Sequence, residues 1–122
     1  MRSLTLGKFM PLHTGHQALI AFALTQATQL TVLLCAEVSE PISGDDQERW
    51  LRATYADDLR ITIQRFDFAD ADLPATSVSS CSVSELWTAR LKELAPDTEL
   101  IIGSEAYVQY VAESWGIKYR IL

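Results

Sequence analysis

Short apolar runs alternate with longer segments whose apolar residues recur at helical spacing. Ser3 to Leu6 reads as a short buried strand, and Gly15 to Thr28 as a helix with Ala18, Leu19, Phe22, Ala23 and Ala27 on its apolar positions. Leu30 to Ala36 is continuously apolar and partly β-branched, the pattern of a central parallel strand covered on both faces. Pro41 and Gly44 break the next stretch, Ser39 to Gly44, into a loop. Asp45 to Tyr55 reads as a helix with an acidic start and with Trp50, Leu51 and Tyr55 on one side. In Arg60 to Phe66, Ile61 and Ile63 alternate with polar residues, as in an edge strand. Asp67 to Ser82 is polar and rich in Ala, Ser and Asp, and is expected to be a long mobile loop. Ser84 to Leu94 reads as a helix capped by Ser82 or Ser84 and closed by Pro96. Glu99 to Gly103 is a further buried strand. Ser104 to Trp115 is expected to be a helix capped by Ser104 and stopped by Gly116, and Ile117 to Leu122 a last strand.

This alternation predicts an α/β fold, a mostly parallel sheet with helices on both faces. Open sheets of this kind bind ligands outside the carboxyl ends of their strands, near a switch in strand order. The segments after the first and fourth strands therefore carry the candidate chemistry.

With 122 residues the chain is expected to form one domain, 1–122, and its 48% apolar content suffices for a core. The net charge of −6 argues against a nucleic-acid partner but not against a small anion held by a local cationic cluster. Cys35 and Cys81 lack metal-ligand spacing and read as free thiols. No signal peptide or membrane-length apolar run is visible, so a soluble, cytoplasmic protein with no membrane partner is expected. A homo-oligomer is left open.

Gly7-Lys8-Phe9-Met10-Pro11-Leu12-His13-Thr14-Gly15-His16 joins the first strand to the first helix. A helix N-terminus offers free N–H groups and a partial positive charge, which attract phosphate. Gly7 allows close backbone approach, and Gly15 leaves room above the first helical turn. His13 and His16, three apart, project on one side of that turn and can hydrogen-bond phosphate oxygens, and Lys8 adds a mobile charge. Pro11 stiffens the loop. The alternative is a loop whose histidines merely cap a helix.

The segment resembles the Gly-x-Phe-x-Pro-x-His-x-Gly-His signature of the nucleotidylyltransferase superfamily, matching it at Gly7, Phe9, Pro11, His13, Gly15 and His16. It is most similar to nicotinamide mononucleotide adenylyltransferases of the bifunctional NAD-regulator type, where the domain is fused to a ribosylnicotinamide kinase. Gln47-Glu48-Arg49-Trp50-Leu51, Glu85-Leu86-Trp87 and Ile102-Gly103-Ser104-Glu105-Ala106-Tyr107 resemble further segments of that subfamily. The resemblance implies a Rossmann-like three-layer α/β/α fold with a five-stranded parallel sheet of order 3-2-1-4-5. It implies adenylyl transfer from ATP to nicotinamide mononucleotide, giving NAD and pyrophosphate, with Mg²⁺ bridging phosphate oxygens. His16 would stabilise the transition state, with His13 and Lys8 holding phosphates. Gly7, Phe9, Gly15 and Ser104 would complete the ATP site, and Trp87 and Arg49 would contact the acceptor.

The resemblance also implies a second signature, Ile-Ser-x-Thr-x-x-Arg, after the fifth strand. The sequence ends at Ile121-Leu122, so a domain cut short of that segment is expected, with a degenerate family member as the alternative. Weak nucleotide binding and poor turnover would follow. Other functions left open are adenylyl or cytidylyl transfer to a different phosphorylated acceptor, and a nucleotide-binding module without turnover. Trp87 equally fits a ligand platform or a core position. Arg49 and Arg52 fit phosphate contacts or ion pairs along a helix, Trp50 and Trp115 fit the core, and Ser104 is a cap before it is a ligand contact. The Asp67–Ser82 loop is expected to help form the acceptor pocket, though it carries no motif.

Overall fold

The computed structural model describes residues 2–7, 14–37, 44–68, 81–104 and 106–122. Their elements run β1 (Arg2–Gly7), α1 (Thr14–Gln26), β2 (Gln29–Glu37), α2 (Gly44–Tyr55), β3 (Ile61–Phe68), α3 (Cys81–Leu94), β4 (Leu100–Gly103), α4 (Tyr107–Trp115) and β5 (Lys118–Ile121). The strands form one sheet of order β3-β2-β1-β4-β5, with every adjacent pair parallel. The expected α/β architecture and strand order are what the chain adopts.

The central strand shows why its sequence is apolar without interruption. Leu30, Val32 and Leu34 pack with Leu19, Ile20 and Ala23 of α1 and Leu51 of α2. Leu33 and Cys35, pointing the other way, pack with Trp87 and Leu91 of α3 and with Val108, Val111 and Ala112 of α4. Two helices therefore cover each face, giving the three layers. Cys35 is buried in this core. Among the described residues, no helix is long and apolar enough to cross a membrane.

Several local expectations shift. The inward face of α1 is Leu19, Ile20 and Ala23, while Ala18 is exposed. This helix is apolar nearly all round, so its sequence does not fix which side turns inward. In α2, Gln47 and Leu51 are buried one turn apart, and Trp50, a sideways step from both, is 39% exposed rather than core. Trp115 is partly buried against the α3–α4 core, as expected. Asp67 and Phe68 belong to β3 and Cys81 opens α3, so the long connection is 69–80, outside the described residues. Ser82 and Ser84 thus lie within the first turn of α3, not before it.

At the end of β4 the chain does not turn directly into a helix. α4 begins at Tyr107, with Ala106 at the N-cap position and no side-chain cap, so Ser104 is not the cap. Leu122 N–H donates to the Gly103 carbonyl at 2.9 Å, which extends the β4–β5 ladder to the end of β4. The helix closes as its sequence predicts. Gly116 takes a left-handed conformation (φ 80°), and its N–H donates to the Ala112 carbonyl.

Candidate functional site

Because all strands are parallel, the connections leading to α1, α2, α3 and α4 all leave from one edge of the sheet. From β1 the chain winds through α1 to β2 and through α2 to β3. It then crosses back through α3 to β4, on the other side of β1. The winding reverses between β1 and β4, and in open parallel sheets the crevice that takes ligands lies outside the carboxyl ends at such a reversal. Ser3 pairs with Leu100 and Leu4 with Ile101; continuing this register sets Gly103 abreast of Leu6. The two strands therefore deliver Gly7 and Gly103 to the same rim.

The predicted site residues divide accordingly. Gly7 is the last residue of β1. Gly15 and His16 lie in the first turn of α1, a 13-residue helix with no acidic residue in that turn to offset its positive end. The first turn of α2, by contrast, carries Asp45 and Asp46. Ser104 is exposed, directly after β4. The fold thus brings Gly7, Gly15, His16 and Ser104 to the carboxyl edge around the β1–β4 crevice. Lys8, Phe9, His13 and Glu105 lie outside the described residues.

The two acceptor-contact expectations fare differently. Trp87 is 2% exposed and belongs to the core. Phe66 and Phe68 of β3 stack at 6.0 Å, and Trp87 meets both edge-on at 6.1 and 5.1 Å. Its ring is spent on this cluster, so the core alternative holds and the platform is a correction. Arg49, on the outer side of α2, forms an ion pair with Asp46 at 2.9 Å. Arg52 pairs with Glu48 at 2.8 Å and donates to the Ile63 carbonyl. Both arginines take the ion-pair alternative.

Sequence reasoning missed Arg65. It shares the α2-facing side of β3 with Ile61 and Ile63. Its Nε donates to Asp67 at 2.8 Å, and its Nη1 reaches Asp45 and, at 3.5 Å, Glu48. The hydrogen bonds that Arg65 donates to Asp67 and Asp45 raise its pKa above the ordinary value. The same hydrogen bond, with its charge attraction, lowers that of Asp45. The available signal was a charge in register with two isoleucines, facing a helix that starts with two acids.

A cavity of about 320 Å³ lies at the opposite edge, where the strands begin, lined by residues including Arg2, Thr31, Arg60, Thr62, Gln64 and Asp97. Its charges already have partners: Arg2 pairs with Asp97 and Arg60 with Asp58, each at 2.8 Å. Gly7, Gly15, His16 and Ser104 lie at the other edge.

Among solved structures, the chain is similar to NadR protein in complex with NAD and AMP-PNP (TM-score 0.72, 20% identity) and to NadR protein in complex with NR (TM-score 0.70, 22% identity). It is also similar to a bifunctional NMN adenylyltransferase/ADP ribose pyrophosphatase from Francisella tularensis, complexed with AMP and Mn ion (TM-score 0.63, 18% identity). The alignments cover 99% of this chain and 37, 36 and 36% of those chains, respectively, so it spans little more than a third of their length. No protein-family profile matches the sequence, and no curated protein matches it significantly. These structures share the α/β fold of this chain.

Proposed function

We propose that the carboxyl edge at β1 and β4 binds ATP and nicotinamide mononucleotide and transfers the adenylyl group between them, giving NAD and pyrophosphate. One observation carries this reading: Gly7 ends β1, and Gly15 and His16 open α1, beside the reversal of winding, the position at which open parallel sheets bind ligands. The bound ligands of the structural neighbours are consistent with it.

A phosphate oxygen of the acceptor attacks the α-phosphorus of ATP. The new P–O bond forms as the bond to the β-phosphate oxygen breaks, and pyrophosphate leaves in line. Positioning and charge stabilisation supply the catalysis, and no covalent enzyme intermediate is required. The free N–H groups of α1 face the transferring phosphate, and His16 donates to its oxygens as charge builds there. His13 and Lys8 hold the flanking phosphates. Gly7 and Gly15 keep the approach clear, and Phe9 and Ser104 complete the nucleotide's surroundings. Asp45 and Asp67 are engaged by Arg65 and are not assigned to a metal; Mg²⁺ brought in with ATP would supply neutralisation of the triphosphate charge.

The test supplies the protein with ATP, Mg²⁺ and a panel of phosphorylated acceptors, and follows pyrophosphate and product. Release with nicotinamide mononucleotide, together with NAD formation, is expected, and His16→Ala abolishes it. Release only with another acceptor, or undiminished turnover by His16→Ala, refutes the assignment.

A further inference from the structure

We propose that Arg65 is a positioning residue for the acceptor: it ties the first turn of α2 to the end of β3 and thereby fixes the carboxyl edge on the β2–β3 side of the crevice. The inference rests on the adenylyl-transfer reading. In-line displacement puts the attacking oxygen and the leaving pyrophosphate on opposite sides of the α-phosphorus. On that reading the ATP site takes in Ser104, beside β4, so the acceptor is assigned to the opposite, β2–β3 side of the start of α1.

That side of the edge is built around one guanidinium. Arg65 Nε holds Asp67, two residues further along β3, at 2.8 Å. Its Nη1 holds Asp45, the second residue of α2, and approaches Glu48 one turn on. Glu48 also accepts from Arg52 Nε at 2.8 Å. The guanidinium lies against Gly44, where an added Cβ would stand 2.6 Å from Nη2 and 2.8 Å from Cζ. Glycine at the start of α2 thus leaves the space that the arginine fills. On the other face of the sheet, Phe66 and Phe68 are held by Trp87. The last four residues of β3 are therefore gripped from both sides.

The grip is one of geometry more than of stability. The Asp45 side chain is 82% exposed, and exposed ion pairs add little to stability. What Arg65 supplies is a planar fork that engages two elements at once, which the single point charge of a lysine does not reproduce. A shift of this rim displaces the surface that receives the acceptor and not the one that receives ATP, so it is expected to register in the acceptor's KM.

The experiment compares Arg65→Lys, Arg65→Gln and Asp67→Asn with the unmodified protein. It measures KM for nicotinamide mononucleotide and for ATP, and hydrogen exchange of backbone amides. In Arg65→Gln the acceptor KM rises about tenfold while the ATP KM moves less than about twofold. Arg65→Lys and Asp67→Asn shift the acceptor KM in the same direction, by less. Exchange rises together at 45–48 and 65–68 and stays unchanged at 107–115. Equal changes in both KM values, or none, overturn the proposal while leaving adenylyl transfer standing. A raised acceptor KM with unchanged exchange also overturns it, since Arg65 would then touch the acceptor itself. An unmodified protein that turns over no acceptor removes the adenylyl-transfer reading, and this proposal with it.

Discussion

Gly103→Ala is expected to destabilise the chain because of space, not backbone conformation. A Cβ built on Gly103 stands 2.4 Å from Val108 Cγ2 and 3.4 Å from Tyr107 Oη. The tyrosine contact is ordinary, but carbon atoms normally approach only to about 3.5–4.0 Å, so the valine contact overlaps by about an ångström. Val108 is fully buried in the α3–α4 core and cannot step aside. Overpacking of this kind costs about 1–3 kcal/mol. A cost near 2 kcal/mol lowers Tm by roughly 6–10 °C in a domain of this size. Val108→Ala alone leaves a small cavity and costs about 2 kcal/mol. In the double variant the new methyl occupies space that the valine has vacated. The two changes should therefore couple by about 2 kcal/mol, with the double variant no less stable than Val108→Ala. Urea unfolding of all four proteins, followed by circular dichroism, measures the cycle. A neutral Gly103→Ala, or strictly additive costs, refutes the packing argument. Unchanged stability with weakened nucleotide binding would instead assign this glycine to the ligand.

Gly116→Ala presents the opposite case: nothing lies within 4 Å of an added Cβ, but φ is +80°. It should cost about 1–2 kcal/mol by urea unfolding, from backbone strain alone, and a neutral result would contradict the left-handed cap. Trp87→Ala should cost about 3–5 kcal/mol, against under about 1 kcal/mol for Trp50→Ala at the surface. Similar costs for the two would contradict the burial assigned to them. The Asp45 carboxyl is held below its ordinary value of 3.8, chiefly by its hydrogen bond from Arg65. Its contribution is therefore present above the unfolded pKa and is lost as pH falls through the lower folded value. Tm measured from about pH 6 to about pH 3 should fall less in Asp45→Asn than in the unmodified protein, and an equal fall would deny the pairing.

The fold was legible in the sequence wherever burial imposed an unambiguous pattern. Leu30 to Ala36 had to be a two-sided strand, because each face meets a helix layer. Gly116 announced a helix end through its chemistry. The phase of α1 was not legible, because Leu19 to Leu24 offers apolar residues on almost every side. Ser104 misled because a serine beside an apolar helical pattern reads as a cap, whereas the ladder to β5 holds the end of β4 extended. Trp87 was ambiguous because its neighbours Phe66 and Phe68 are distant in sequence and adjacent only across the α3–sheet interface. Arg65 was invisible for a similar reason: its partners Asp45 and Glu48 sit on a different element. Local chemistry could be read from the chain, whereas contacts between elements required the fold.

The most direct test of the site is a map of backbone amide shifts on adding ATP with Mg²⁺ and nicotinamide mononucleotide. Shifts concentrated at Gly7, Thr14 to Gln17, Gly103 and Ser104 are expected. Shifts gathered instead around Arg2, Arg60 and Asp97, at the cavity on the opposite edge, would contradict the account.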